Sequence, residues 1–138
     1  MPTVAERMPR VLLVEDAPFL RYAFGRLLRL QGFDVKEAID GEDALASISE
    51  FKPELVLTDL IMPVMGGVEL ISKLRVLPEM EGIPVIAITA DATQATEDQA
   101  RNAGAVDFIT KPVDLPELLG RLRHFLATSS TSSPTSTA

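Results

Sequence analysis

Cysteine and tryptophan are absent from the 138 residues, and histidine occurs once. Without thiolates and with a single imidazole, a zinc site of sulfur and nitrogen ligands cannot be assembled, and no disulfide can form. Any metal must therefore be held by oxygen. Long apolar runs are missing too: residues 11–14 are followed at once by two acids, far short of the ~18 apolar residues that suggest a membrane span. The opening MPTVAERMPRVLLVED lacks the apolar stretch of a secretory signal, so a cytoplasmic location is expected. There is no lysine- or arginine-rich run. With 13 Lys plus Arg against 20 Asp plus Glu, the net charge of −7 opposes phosphate backbones and anionic lipid, so direct contact with nucleic acid or membrane is not expected.

What is present is 46% hydrophobic residues in a chain of one-domain length. At this size a core of Val, Ile, Leu and Phe needs no covalent help. Short apolar runs alternate with stretches of helical period, the pattern of a parallel sheet covered on both faces. Strands are expected over residues 11–14, 33–38, 55–58, 85–89 and 106–109. Between and after them, helices are expected over 18–30, from Asp40, over 68–75, over 93–103 and from a capping box Asp114-x-x-Glu117. In the first helix Leu20, Phe24, Leu27 and Leu28 share one face; Pro18 suits its first turn and Gly32 its stop. In the second, Ala44, Leu45 and Ile48 point inward. The stretch 93–103 has no Leu, Ile, Val, Phe or Met, so that helix is weakly anchored. The last helix carries Leu115, Leu118, Leu119, Leu122, Phe125 and Leu126 on its apolar stripe. The expected organisation is a flexible start at 1–9, a domain over 10–127, and a disordered Ser/Thr-rich tail or linker at 128–138.

Five strands and five helices in strict alternation predict a three-layer, doubly wound α/β fold with strand order 2-1-3-4-5, in which ligands collect beyond the carboxyl ends of the strands near the switch between strands one and three. The residues ending the strands are therefore the ones to weigh. Strand one ends in Glu15 and Asp16, strand three in Asp59, strand four in Thr89, and strand five in Lys111 and Pro112. Taken singly, each has an ordinary structural reading: Asp59 as a loop or cap residue, Glu15 and Asp16 as partners of a helix N-terminus, Lys111 as a solvated charge. Taken jointly, three carboxylates at one edge repel unless one is neutral or a cation is shared. A hard divalent ion such as Mg²⁺ suits oxygen ligands, and Lys111 with the Thr89 hydroxyl and nearby N–H groups suits a phosphoryl group.

The acid pair after VLLV, the Asp of LVLTDLIMPVMGG, the Thr-Ala of VIAITA and the FITKP segment together resemble the receiver domain of two-component response regulators, a flavodoxin-like, CheY-like fold, over about residues 11–126. The resemblance implies Asp59 as phosphoacceptor, with Glu15, Asp16, Asp59 and the carbonyl of Ile61 at a Mg²⁺ site that Mn²⁺ also fits. It implies phosphoryl contacts from Lys111, Thr89 and the Ala90 N–H, a switch formed by Thr89 and Phe108, and a cis bond before Pro112. Its expected partners are a sensor histidine kinase or histidine phosphotransfer protein and a downstream protein target, with slow autodephosphorylation at Asp59.

Glu15 stands where the family more often has Asp. Ile61 and Asp91 occupy variable positions that tune attack by water; Ile61 cannot orient water, whereas Asp91 has the chemistry to do so. Ordinary core packing is the alternative for Phe108. His124 reads as a helix-end residue rather than a phosphoryl donor, and Arg21, Arg26 and Arg29 read as a solvated face or a kinase-docking face. The chain is either a stand-alone regulator or a receiver cut from a longer protein. A receiver that only binds partners, a small hydrolase with an aspartyl nucleophile and a flavin-binding domain are weaker alternatives. The first would lack some of these residues, the second would carry a second acid close after the nucleophile, and the third would want Ser, Thr and Gly donors after strand one.

Overall fold

A computed structural model describes residues 7–131. Five parallel strands form one sheet in the order β2-β1-β3-β4-β5. They are β1 (Arg10–Val14), β2 (Asp34–Ala38), β3 (Leu55–Asp59), β4 (Val85–Thr89) and β5 (Asp107–Thr110). The helices are α1 (Pro18–Leu30), α2 (Gly41–Phe51), α3 (Gly67–Arg75), α4 (Gln94–Ala103) and α5 (Leu115–Thr131), with a 3-10 turn at Pro78–Met80. Among the described residues no helix is long and apolar enough to cross a membrane.

The near-continuous apolar strands are explained by burial on both faces. Because successive side chains point to opposite sides, Val11 and Leu13 of β1, Leu55 and Leu57 of β3 and Ile86 and Ile88 of β4 pack with Leu28, Leu118 and Leu122 of α1 and α5. Their neighbours Leu12, Val14, Val56, Val85 and Ala87 pack instead with Ala44, Ile48, Leu70, Ile71 and Leu74 beneath α2, α3 and α4. Each fully buried leucine contributes about 2 kcal/mol of apolar transfer, so these two clusters, rather than helix propensity, hold the layers.

The ends of the elements follow local chemistry. Pro18 opens α1 and Gly32 follows its end at φ 98°. The Asp40 carboxylate accepts from the Asp43 N–H and caps α2, and Asp114 accepts from the Glu117 N–H at the start of α5. Thr93 caps α4 rather than joining it.

Three expectations change. Leu20 and Leu27 are each 38% exposed, and α1 meets the sheet through Leu28, Gly25 and part of Phe24; the apolar arc of this helix is wider than the face the sheet takes, and spacing alone does not select its inner face. Helix α5 continues to Thr131, past the boundary expected at 128, because each residue added to a formed helix gains a hydrogen bond without a new nucleation cost. His124 is therefore not in the last turn; its ring lies edge-on to Phe125. The expectations for residues 1–6 and 132–138 lie outside the described residues.

Candidate functional site

Strand register brings the expected residues to one edge. Val14 pairs with Thr58, Asp59 with Ile88, and Thr89 with Thr110, so β1, β3, β4 and β5 end nearly level. Glu15 continues the ladder by one bond, its N–H donating to the Ala38 carbonyl at 3.1 Å. One carboxylate oxygen from each of Glu15, Asp16 and Asp59 lies within 4.8 Å of the others. This is an all-oxygen cluster of the kind a hard divalent cation takes, so the residues present fit Mg²⁺.

Lys111 enters from the end of β5. Its Nζ donates to Asp59 Oδ2 at 2.9 Å and to Glu15 Oε1 at 3.1 Å. Burial works against the lysine's charge, but these two bonds outweigh it and hold its pKa above the ordinary value. Burial also pushes the Glu15 carboxyl up, against the lowering effect of the Ala17 N–H and of Lys111. The peptide bond between Lys111 and Pro112 is cis, as the resemblance implies.

The Ile61 N–H donates to Asp59 Oδ1 at 3.2 Å, while its side chain is exposed. Gly67 packs against the backbone of Asp59 and Leu60: its N–H donates to the Leu60 carbonyl at 2.9 Å, and a Cβ there would lie 2.6 Å from the Leu60 Cα. Backbone therefore packs on backbone where β3 turns into its loop.

The other expected residues lie on β4, on the loop after it and on β5. Thr89 is fully buried, and its Oγ1 accepts from the Asp91 N–H at 3.1 Å; Ala90 follows it, exposed. Asp91 is engaged in capping, its carboxylate accepting from the Thr96 hydroxyl at 2.7 Å and the Thr93 N–H at 3.0 Å. These bonds, Thr96 first, hold its pKa below the ordinary carboxylate value. Phe108 is buried in the cluster beneath α2, α3 and α4. A cavity of about 460 Å³ beside the connection from α3 to β4, lined by Leu74, Met80 and Ile83, includes none of these residues.

The arginines of α1 differ from a solvated face. Arg26 and Arg29 are exposed and Arg21 is half-buried. Arg29 donates to Glu37 and to the Val35 carbonyl, and Arg21 Nη1 donates to the carbonyls of Glu15 and Asp16. Sequence spacing gave no signal for this use of Arg21, because its partners are backbone atoms.

A family model described as the response regulator receiver domain matches residues 11–123. The chain belongs to the response regulator receiver domain family. This receiver is 37% identical over 131 residues to the transcriptional regulatory protein PrrA of Mycobacterium leprae, covering 92% of this chain and 55% of that protein. It thus spans about half the length of that relative. It is 34% identical over 120 residues to protein PilH of Pseudomonas aeruginosa, covering 87% of this chain and 99% of PilH. Among solved structures, it resembles the receiver domain of a sensor histidine kinase from Pseudomonas aeruginosa, which has a magnesium ion coordinated in its active-site cleft. The TM-score is 0.81 at 29% identity, covering 87% of this chain and 98% of that one. The expected fold and strand order agree with these receivers.

Proposed function

We propose that this receiver takes a phosphoryl group onto Asp59 from the phosphohistidine of a sensor histidine kinase or histidine phosphotransfer protein and signals through the resulting change of surface. The observation carrying this reading is the buried acceptor at the end of β3, bonded at 2.9 Å to Lys111 and grouped with Glu15 and Asp16. A carboxylate oxygen of Asp59 attacks phosphorus, the P–N bond breaks, and the imidazole nitrogen leaves with the bonding pair and takes up a proton. Positioning and charge neutralisation do most of the work in such transfers.

Glu15, Asp16, Asp59 and the Ile61 carbonyl are the residues to hold Mg²⁺, with Mn²⁺ as a substitute. When bound, the ion supplies charge neutralisation for the phosphoryl oxygens. Lys111 supplies a second cationic contact, and Thr89 Oγ1 and the Ala90 N–H serve the remaining oxygens. Drawing Thr89 toward the new dianion takes its hydroxyl from the Asp91 N–H and opens space beside Phe108. The sparsely anchored α4 then shifts between two populations. Hydrolysis of the acyl phosphate is slow, since Ile61 is apolar and Asp91 is committed to capping α4. The proposed setting is cytoplasmic.

The downstream partner is a protein surface. Because PrrA is a transcriptional regulator of about twice this length, any nucleic-acid contact belongs to a segment other than the one described. The chain works either alone or as the receiver of a longer regulator.

The test is incubation of the purified chain with acetyl phosphate, with Mg²⁺ or with EDTA, followed by intact mass. A Mg²⁺-dependent adduct of one phosphoryl group that Asp59→Asn lacks is the expected outcome. No adduct on the wild type, together with no change in its melting on adding beryllofluoride and Mg²⁺, rejects the reading.

A further inference from the structure

Beyond Val14 the acid-bearing backbone leaves the sheet. The last ladder bond on this side is Glu15 N–H to Ala38 O, and the carbonyls of Glu15 and Asp16 lie past it, in the turn before α1. Buried or half-buried carbonyls need donors, and Arg21 Nη1 supplies one to both, at 2.9 Å and 3.3 Å. A planar guanidinium bridging two successive carbonyls sets the tilt of the peptide unit between them, and thereby the direction in which the two acid side chains leave the backbone.

Arg21 is itself held. Its side chain is 18% exposed, and its Nε lies 3.6 Å from Glu37 Oε1 on β2. The other oxygen of Glu37 accepts from Arg29 Nη1 at 2.9 Å. Glu37 reaches this place over Gly25, where a Cβ would lie 2.6 Å from Glu37 Oε2. A side chain at position 25 would push the Glu37 carboxylate aside, and with it the partner that orients Arg21.

We infer that Arg21 is a positioning residue for the acidic metal site, held by Glu37 across the bare helix surface at Gly25. The inference rests on the proposed Mg²⁺-dependent reading of that site. Arg21 touches neither metal nor phosphoryl group; it acts through the backbone of Glu15 and Asp16.

The experiment measures Mg²⁺ affinity by calorimetry on the unphosphorylated full chain for the wild type, Arg21→Met, Arg21→Lys, Glu37→Gln and Gly25→Ala, with circular dichroism in EDTA as the check on folding. Supporting partners of metal ligands are worth about 10- to 100-fold in affinity; acting through backbone, Arg21→Met weakens Mg²⁺ binding about tenfold. Glu37→Gln and Gly25→Ala weaken it less, and Arg21→Lys falls between Met and the wild type. In the acetyl phosphate reaction the Mg²⁺ concentration for half-maximal rate rises in parallel while the rate at saturating Mg²⁺ is kept, a split that general loss of stability does not produce. Wild-type Mg²⁺ affinity in Arg21→Met and Glu37→Gln overturns the inference and leaves the Asp59 reading standing. If Arg21→Met fails to fold, Glu37→Gln and Gly25→Ala decide. A wild type that binds no Mg²⁺ overturns both.

Discussion

Replacing Gly67 by alanine tests how tightly the loop after Asp59, the proposed phosphoacceptor, is built. The added Cβ would lie 2.6 Å from Leu60 Cα and 2.9 Å from Leu60 Cδ2, and closer still to the Asp59 carbonyl oxygen. Ordinary contact begins at 3.4 Å, so the Leu60 backbone must give by about 0.8 Å and the Asp59 carbonyl oxygen by more. Two of the three atoms in the way are backbone at the end of a central strand, so rotamer changes do not relieve the clash. Overpacking of this kind costs about 1–3 kcal/mol, and the rigid neighbours place this case in the upper half, offset by under 1 kcal/mol of better helix propensity. A net loss near 2 kcal/mol lowers the melting temperature by about 6–8 °C for a domain of this size. Because the displaced atoms include Asp59 itself, phosphorylation by acetyl phosphate falls about tenfold or more, in line with the sensitivity of transfer reactions to sub-ångström misplacement. Thermal melts by circular dichroism and timed intact-mass measurements read the two effects. Gly66→Ala is the control, since its nearest neighbour is the Leu60 carbonyl oxygen at 3.4 Å. A Gly67→Ala protein that melts within about 1 °C of the wild type and labels at the same rate refutes the reasoning.

Val64 holds a left-handed backbone at φ 68° while its side chain is 72% exposed. Relieving that conformation with Asn, which tolerates it, raises stability by about 1 kcal/mol, read as a higher urea midpoint; an unchanged or lower midpoint shows that the loop stores no strain there. Asp91 has a lowered pKa, so its contribution to the start of α4 is present above the ordinary value of 3.8 and is lost as pH falls through the lower folded value. NMR titration of its carboxyl carbon should show a midpoint below 3.8 that moves back up in Thr96→Val, and equal midpoints in the two proteins would remove Thr96 as the cause.

The doubly wound class and the edge where the candidate residues meet were legible from patterns the chain cannot hide, while the strand order was expected as the commonest small version of that class. Apolar runs of strand length separated by helical period leave few topologies, and residues immediately after such runs must lie together once the strands are parallel. The grouping of Glu15, Asp16 and Asp59 with Lys111 follows from that rule alone. What sequence could not disclose depended on contacts made by backbone or by the absence of a side chain. Arg21 reads as a surface cation until its carbonyl partners are seen, and Gly25 and Gly67 give no signal until the atoms above them are known. The inner face of α1 was similarly hidden, since Phe19, Leu20, Tyr22, Leu27 and Leu30 are apolar yet exposed. Asp91 had the chemistry to orient water, and its use as a cap depended on where Thr93 and Thr96 point.

Helix α4 buries two residues of its own, Ala100 and Ala103. A methyl group has no rotamer to choose and no ridge long enough to lock into a neighbouring groove. Where leucine-lined helices must reshuffle interdigitated side chains before they can move, α4 presents only methyl groups to the cluster that holds Ile71, Leu74 and Phe108. What resists it is polar and peripheral, such as the Arg75 bond to the Asn102 carbonyl and the Arg101 contacts with Asp107 and Val106. A displacement of this helix of the kind proposed would therefore be limited by the making and breaking of a few surface hydrogen bonds, and its speed should respond to salt more than to core substitutions.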